Sequence, residues 1–132
     1  MKVKNRLLDY KEIIYQDDEW FKFSLDSVLL ANFVTINMSA KKIIDFATGN
    51  APIPMLLTYR TNALIYGIEY QKCIYELGVE SINENKLDSK IKLLNNEPEY
   101  LENLANNLFF LEIQRMRTLI CWDQSIFRMT FA

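Results

Sequence analysis

Apolar residues recur along the chain in short bursts separated by charged or turn-forming positions. Residues 1–24 are polar and mixed, and Phe21-Lys22-Phe23 alternates as a short strand would. Ser24 suits the cap of a helix that starts near Leu25, carries Val28, Leu29, Ala31, Asn32 and Phe33, and runs to about Val34. Lys41-Lys42 introduces Ile43-Ile44-Asp45-Phe46, a β-branched pair flanked by charge that predicts a buried strand. A polar turn over 47–51 leads into Pro52-Ile53-Pro54-Met55-Leu56-Leu57. Proline fits the first turn of a helix and not its middle, so a helix begins near Pro52 or Ile53. Residues 63–69 predict a second strand that ends in an acid. Residues 71–86 predict a helix whose inner stripe is Ile74, Leu77, Gly78, Ser81 and Ile82. A third short strand follows over 91–95. Asn96 suits the cap of a long helix with Leu101, Leu104, Ala105, Leu108 and Leu111 on its stripe, and 118–122 predicts a fourth strand.

Strands alternating with helices imply βαβ units and a parallel sheet. Right-handed crossovers are expected to place helices on both faces. The expected architecture is α/β, with three to four parallel strands flanked by helices. There is no internal repeat and no linker. One break stands out: residues 1–106 hold ten Lys and two Arg, whereas residues 107–132 hold no Lys and three Arg.

Length and composition narrow the classes. The 132 residues make one domain and are too few for two. Half of them are hydrophobic and 24% charged, with only 3 Gly and 3 Pro, which excludes a disordered or collagen-like chain. A net charge of −2 gives no global basic field for nucleic acid. There is no His, which excludes His-based triads, metal sites and proton shuttles, and no metal site is expected. Cys73 and Cys121 form no C-x-x-C pair and fit a reducing cytoplasm. The basic N-terminus is not followed by the apolar run of a signal peptide. The longest uncharged stretch, 27–40, is interrupted by Asn32, Thr35, Asn37 and Ser39 and falls short of the ~20 apolar residues of a membrane span. A cytoplasmic protein without a membrane segment is expected.

The chemistry concentrates where the strand at 43–46 meets the turn at 47–51. In doubly wound sheets a ligand sits off the carboxyl ends of the strands, with an acid about 20 residues beyond the first loop gripping ribose hydroxyls. Glu69 follows Gly49 by 20 residues and ends a strand. A dinucleotide loop wants three glycines for close approach to a pyrophosphate. This loop keeps Gly49 and has Ala47 and Ala51 beside it. Asp45 at the loop entry would also repel a phosphate, and could attract a ligand amino group directly or through water. These features favour S-adenosylmethionine over a nicotinamide dinucleotide. The plainer alternative makes Asp45 a turn former and Glu69 a solvated strand end.

The chain resembles the bacterial methyltransferases that modify an adenine exocyclic amine in the anticodon loop of valine tRNA, of the Rossmann-like class I type that uses S-adenosylmethionine. The resemblance rests on Tyr15-Gln16-Asp17-Asp18-Glu19, on Phe23-Ser24-Leu25-Asp26-Ser27-Val28-Leu29-Leu30-Ala31-Asn32-Phe33, on 41–54, and on Gly67-Ile68-Glu69-Tyr70-Gln71, and covers roughly residues 1–97. It implies a cofactor loop of Asp45, Thr48, Gly49 and Asn50, and a ribose-binding acid at Glu69. It also implies a closing segment of Phe23, Ser24 and Asp26, and places Asn96 and Glu97 beside the adenine ring. It divides the chain into a cap segment (1–40), a cofactor-binding half (41–106) and an atypical tail (107–132).

Two departures accompany it. The family loop reads Asp-x-Gly-x-Gly-x-Gly, and its catalytic Asn-Pro-Pro-Tyr is absent from this sequence. In the family the Asn side chain and a Pro carbonyl hold the target amine while the Tyr stacks on the flipped base. Trp122 and Asp123 stand at the corresponding place. The tail is open to an out-of-frame origin, which the gene's nucleotide sequence would test. The expectation is a methyltransferase domain that lacks its catalytic half and is marginally stable, prone to self-association or in need of a completing partner. A tRNA partner is expected through the resemblance, and Lys2, Lys4, Arg6 and Lys11 near Tyr10 and Tyr15 offer a small basic cluster for RNA. The alternatives are a non-catalytic module binding S-adenosylmethionine or RNA, a nicotinamide-binding Rossmann fragment, and a structural remnant that binds neither.

Overall fold

The computed structural model describes residues 1–7, 9–20 and 22–95. The helix expected after Asn96, the strand at 118–122, and Glu97, Trp122 and Asp123 lie outside the described residues. In chain order the elements are β1 (Lys2–Arg6), β2 (Ile13–Asp17), α1 (Leu25–Phe33), β3 (Lys42–Phe46), α2 (Pro52–Leu57), β4 (Leu64–Ile68), α3 (Lys72–Glu84) and β5 (Ile91–Leu94).

β3, β4 and β5 form a parallel sheet in that order, with Asp45 opposite Gly67 and Gly67 opposite Leu93. β3 and β4 are buried at most positions, as strands under crossover helices are, and β5 is buried at Ile91. One face carries Ile43, Ile65 and Ile91. These share a single core with Ile53, Met55 and Leu57 of α2, Ile82 of α3, and Leu30 and Ala31 of α1. All six residues of α2 are buried, which is why that helix shows no polar face in the sequence. The opposite face gathers Ile44 and Ile68 with Phe46, Tyr66 and Leu94, all strand residues.

Among the described residues both crossover helices therefore pack on the same face, not on both as the alternation suggested. The reason is topological. The strand order advances in one direction, and two crossovers of the same hand taken in the same direction land on the same side.

The N-terminal segment also differs from expectation. Residues 22–24 are not a strand; the Phe23 N–H is donated to the Gln16 side chain at 3.0 Å rather than to a strand's backbone carbonyl. The strands lie earlier, as the antiparallel hairpin β1–β2. The outer edge of β2 is closed by side chains instead of a third strand. Asn85 accepts the Ile13 N–H at 2.8 Å and donates to the Ile13 carbonyl at 2.6 Å. The Ser81 hydroxyl accepts the Tyr15 N–H, and the Asn50 amide donates to the Tyr15 carbonyl, each at 2.8 Å. Every backbone group that β2 turns away from β1 at Ile13 and Tyr15 is thus paired, which removes the penalty of a buried open edge. At the turn of the hairpin, beside Ile13, the Tyr59 hydroxyl donates to the buried Glu12 carboxylate at 2.6 Å.

Candidate cofactor site

β3 ends beside β4, and the chain turns through 47–51 before entering α2. The turn is left-handed at three alternate residues: Ala47 (φ 52°), Gly49 (φ 63°) and Ala51 (φ 68°). For alanine that backbone costs about 1–2 kcal/mol per residue, because Cβ approaches the following carbonyl oxygen. The loop therefore adopts a glycine-type path with alanine at two of its three left-handed positions. The Ala51 methyl is fully buried beneath the loop, while Ala47 is exposed.

Three hydrogen bonds set the loop's shape. The Thr48 N–H continues the β3–β4 ladder to the Ile68 carbonyl at 2.9 Å. The Thr48 hydroxyl donates to the Asp45 carboxylate at 2.7 Å, with both side chains fully buried. The Gly49 N–H donates to Glu69 Oε2 at 2.9 Å. The other oxygen of Glu69 accepts the Gln71 N–H at 2.8 Å, and Asn95 at the end of β5 donates to the Glu69 and Tyr70 carbonyls. The Glu69 carboxylate is held in place from two sides, and each oxygen keeps a second lone-pair site for an incoming hydroxyl. Among the described residues no atom lies within 4 Å of where a Cβ on Gly49 would sit, so the backbone there faces open space. A braced carboxylate beside bare, accessible backbone fits a vicinal diol and the nucleoside that carries it.

Close packing below depends on two glycines. A Cβ on Gly67 would meet Leu93 Cδ2 at 2.5 Å and Thr48 at 2.9 Å. A Cβ on Gly78 would meet Leu93 at 2.8 Å and the backbone of Asn50 at 3.3 Å, so α3 rests directly on the loop.

The structure thus brings Asp45, Thr48, Gly49, Asn50 and Glu69 together, in two different settings. Gly49 borders the open space, and Glu69, itself buried, accepts the Gly49 N–H. Asp45, Thr48 and Asn50 are buried, with side chains bonded to the protein itself. Phe23 reaches the neighbourhood through Gln16, one residue from the Tyr15 that Asn50 holds. Ser24 caps α1 without a side-chain cap bond, and Asp26 is exposed in the first turn; among the described residues neither is bonded to the loop. Asn96 and Glu97 lie outside the described residues. Ser81 and Asn85 carry no site signal in the sequence, and the signal for Asn95 is its place directly after the third parallel strand.

The basic N-terminal cluster is partly neutralised. Lys2 pairs with Glu80 at 2.6 Å and Lys4 with Glu84, both cations lying over the Tyr15 ring. The Lys4 contact raises the amine's pKa and holds the Glu84 carboxyl below its ordinary value. Arg6 and Lys11 make no ion pair among the described residues. The described residues contain no helix long and apolar enough to cross a membrane, and no group of three acidic or thiol side chains that could hold a metal. Cys73, in the first turn of α3, is exposed.

No protein-family model and no curated protein matches the sequence. Solved structures do. TrmK of M. capricolum, in complex with the cofactor product S-adenosyl-homocysteine, aligns with a TM-score of 0.52 and 17% identity over 64% of this chain and 36% of that one. TYW2 of M. jannaschii, in complex with AdoMet, aligns at 0.55 and 19% identity over 70% of this chain and 42% of that one. A SAM-dependent methyltransferase of Agrobacterium tumefaciens aligns at 0.57 and 10% identity over 80% and 36%.

The fold is that of the Rossmann-like class I methyltransferases. The chain spans well under half the length of these structures.

Proposed function

We propose that this chain is the cofactor-binding part of an S-adenosylmethionine-dependent methyltransferase that acts on an adenine exocyclic amine in tRNA. The observation that carries the cofactor reading is Glu69. It ends β4, is braced by the Gly49 and Gln71 N–H groups, and keeps lone pairs for the two ribose hydroxyls. Gly49 leaves open space for the ligand to lie against the loop. The exposed methyl of Ala47 argues against a pyrophosphate, which needs closer backbone approach than an added Cβ allows, while the Ala51 methyl is buried in the core. Asp45 and Thr48 act underneath, fixing the turn that presents Gly49.

When bound, S-adenosylmethionine supplies an electrophilic methyl group. The chain's own contribution is to bind and orient the nucleoside end so that the methyl lies where an acceptor can reach it, a positioning effect more than an acid–base one. The adenine acceptor and the tRNA substrate are supported by the sequence resemblance over residues 1–97. The residues that hold the target amine in that family, Asn-Pro-Pro-Tyr, are absent from the sequence. The residues on hand are therefore expected to bind and orient the cofactor, and turnover is expected to need target-holding groups besides them.

The test is calorimetric titration with S-adenosylhomocysteine, beside Glu69→Ala. Saturable binding that the variant loses supports the reading. A folded chain that does not bind overturns it. Tighter binding of a nicotinamide dinucleotide would favour the second reading.

A further inference from the structure

Asn50 occupies a loop that faces a ligand, yet its side chain is buried and turned away from the open space, onto the Tyr15 carbonyl of the N-terminal hairpin. On its other side α3 presses against the Asn50 backbone at Gly78. Its two neighbours are both left-handed, and one of them, Gly49, gives its N–H to Glu69. Between β3 and α2 the ladder reaches only as far as the Thr48 N–H, and the Ala51 N–H closes a turn onto the Thr48 carbonyl at 3.1 Å. Tyr15 itself is held on both sides of its backbone, by Asn50 and by Ser81, and Asn85 repeats the grip two residues earlier at Ile13. A run of half-buried hydrogen bonds therefore leads from Asn85 through β2 to Asn50, Gly49 and Glu69.

We infer that the N-terminal hairpin holds the loop 47–51 in its ligand-binding shape, with Asn50 as the positioning residue and Asn85 and Ser81 as its supports on α3. This rests on the cofactor reading above, and it gives the hairpin a part in binding although none of its residues borders Gly49's open face. Displacing β2 pulls on the Asn50 amide, and the Gly49 N–H then leaves Glu69. The coupling is reciprocal: a ligand that needs the loop in this shape must also hold the hairpin down.

The experiment compares Asn50→Asp, which keeps the shape and loses the donor, with Asn85→Ala, which touches no loop residue. Ile91→Val serves as a control that loosens the shared core while leaving every one of these hydrogen bonds its donor and acceptor. Each is read by affinity for S-adenosylhomocysteine well below its melting temperature, and by amide exchange at Gly49 without ligand. Both hairpin variants are expected to weaken binding on the order of tenfold and to speed Gly49 exchange, while the control, at a comparable loss of melting temperature, changes neither. In the unaltered chain, saturating S-adenosylhomocysteine is expected to slow exchange at Ile13 and Tyr15, which keeps the inference testable if a variant fails to fold. Unchanged Gly49 exchange in the variants, or hairpin amides indifferent to bound ligand, overturns it. If the unaltered chain binds no S-adenosylhomocysteine, the cofactor reading fails, and Gly49 exchange still decides the positioning role.

Discussion

Glu69 accepts the amide of Gly49 at 2.9 Å across 20 residues of sequence, so the acid that ends β4 and the glycine of the preceding loop form one unit. Removing the carboxylate leaves two backbone donors, at Gly49 and Gln71, without their acceptor. Glu69→Ala is expected to lower stability by about 2–3 kcal/mol in urea unfolding, since hydrogen bonds to an ionised group contribute about 1.5–3 kcal/mol and unmet donors add a penalty. Glu69→Gln retains one acceptor oxygen and is expected to lose roughly half as much.

The two left-handed alanines should separate cleanly. Ala47→Gly removes strain worth about 1–2 kcal/mol and gives back roughly 0.4–1 kcal/mol through the freer unfolded chain, so a net gain near 1 kcal/mol is expected. Ala51→Gly also loses a buried methyl, worth about 0.8 kcal/mol, and should come out near zero. Paired thermal melts of the two variants measure the difference.

Gly78 sits in the middle of α3, where alanine would normally gain about 1 kcal/mol of helix propensity. Here the added Cβ meets the Asn50 backbone at 3.3 Å, and backbone does not rotate aside as a side-chain end does. Overpacking of this kind costs about 1–3 kcal/mol, so Gly78→Ala is expected to be net destabilising by chemical denaturation. A more stable variant would mean that α3 does not rest on the loop.

Tyr59 gives a pH prediction. The hydrogen bond to Glu12, with burial of the hydroxyl and the carboxylate's charge, pushes its phenol from 10.0 up to about 12. The folded value is raised, so the contribution is full below the unfolded pKa near 10 and is lost as pH rises through about 12. A phenolate absorbance titration should show one late-titrating tyrosine that Tyr59→Phe removes, with the alkaline unfolding limb shallower in the variant.

Much of the parallel sheet was legible because its signals are local. Charge on either side of Ile43-Ile44, proline at 52 and 54, and the stripe of Ile74, Gly78, Ser81 and Ile82 mark β3, α2 and α3 at nearly their observed bounds. The hairpin was not legible. β1 is mostly Lys, Asn and Arg, and β2 sends Gln16 inward, so the alternation of an amphipathic strand is hidden. A glutamine can be buried there because its side chain accepts the Phe23 N–H, a pairing the sequence does not display. The loop shows the same limit. Ala47 and Ala51 read as obstacles to a glycine path, yet the backbone takes that path with them in place. Asn50 read as a ligand contact, and its amide is spent on a carbonyl 35 residues away.

The clasp on β2 also sets an order of events during synthesis. β1 and β2 leave the ribosome ahead of the other described strands, and they can pair with each other at once. Their outer edge must wait for Ser81 and Asn85, which lie 66 and 72 residues beyond the groups they bind. At roughly 5–20 residues per second, that wait is on the order of several seconds. The hairpin is therefore made long before the groups that close it, and for that interval the edge of β2 stands open to any other strand nearby.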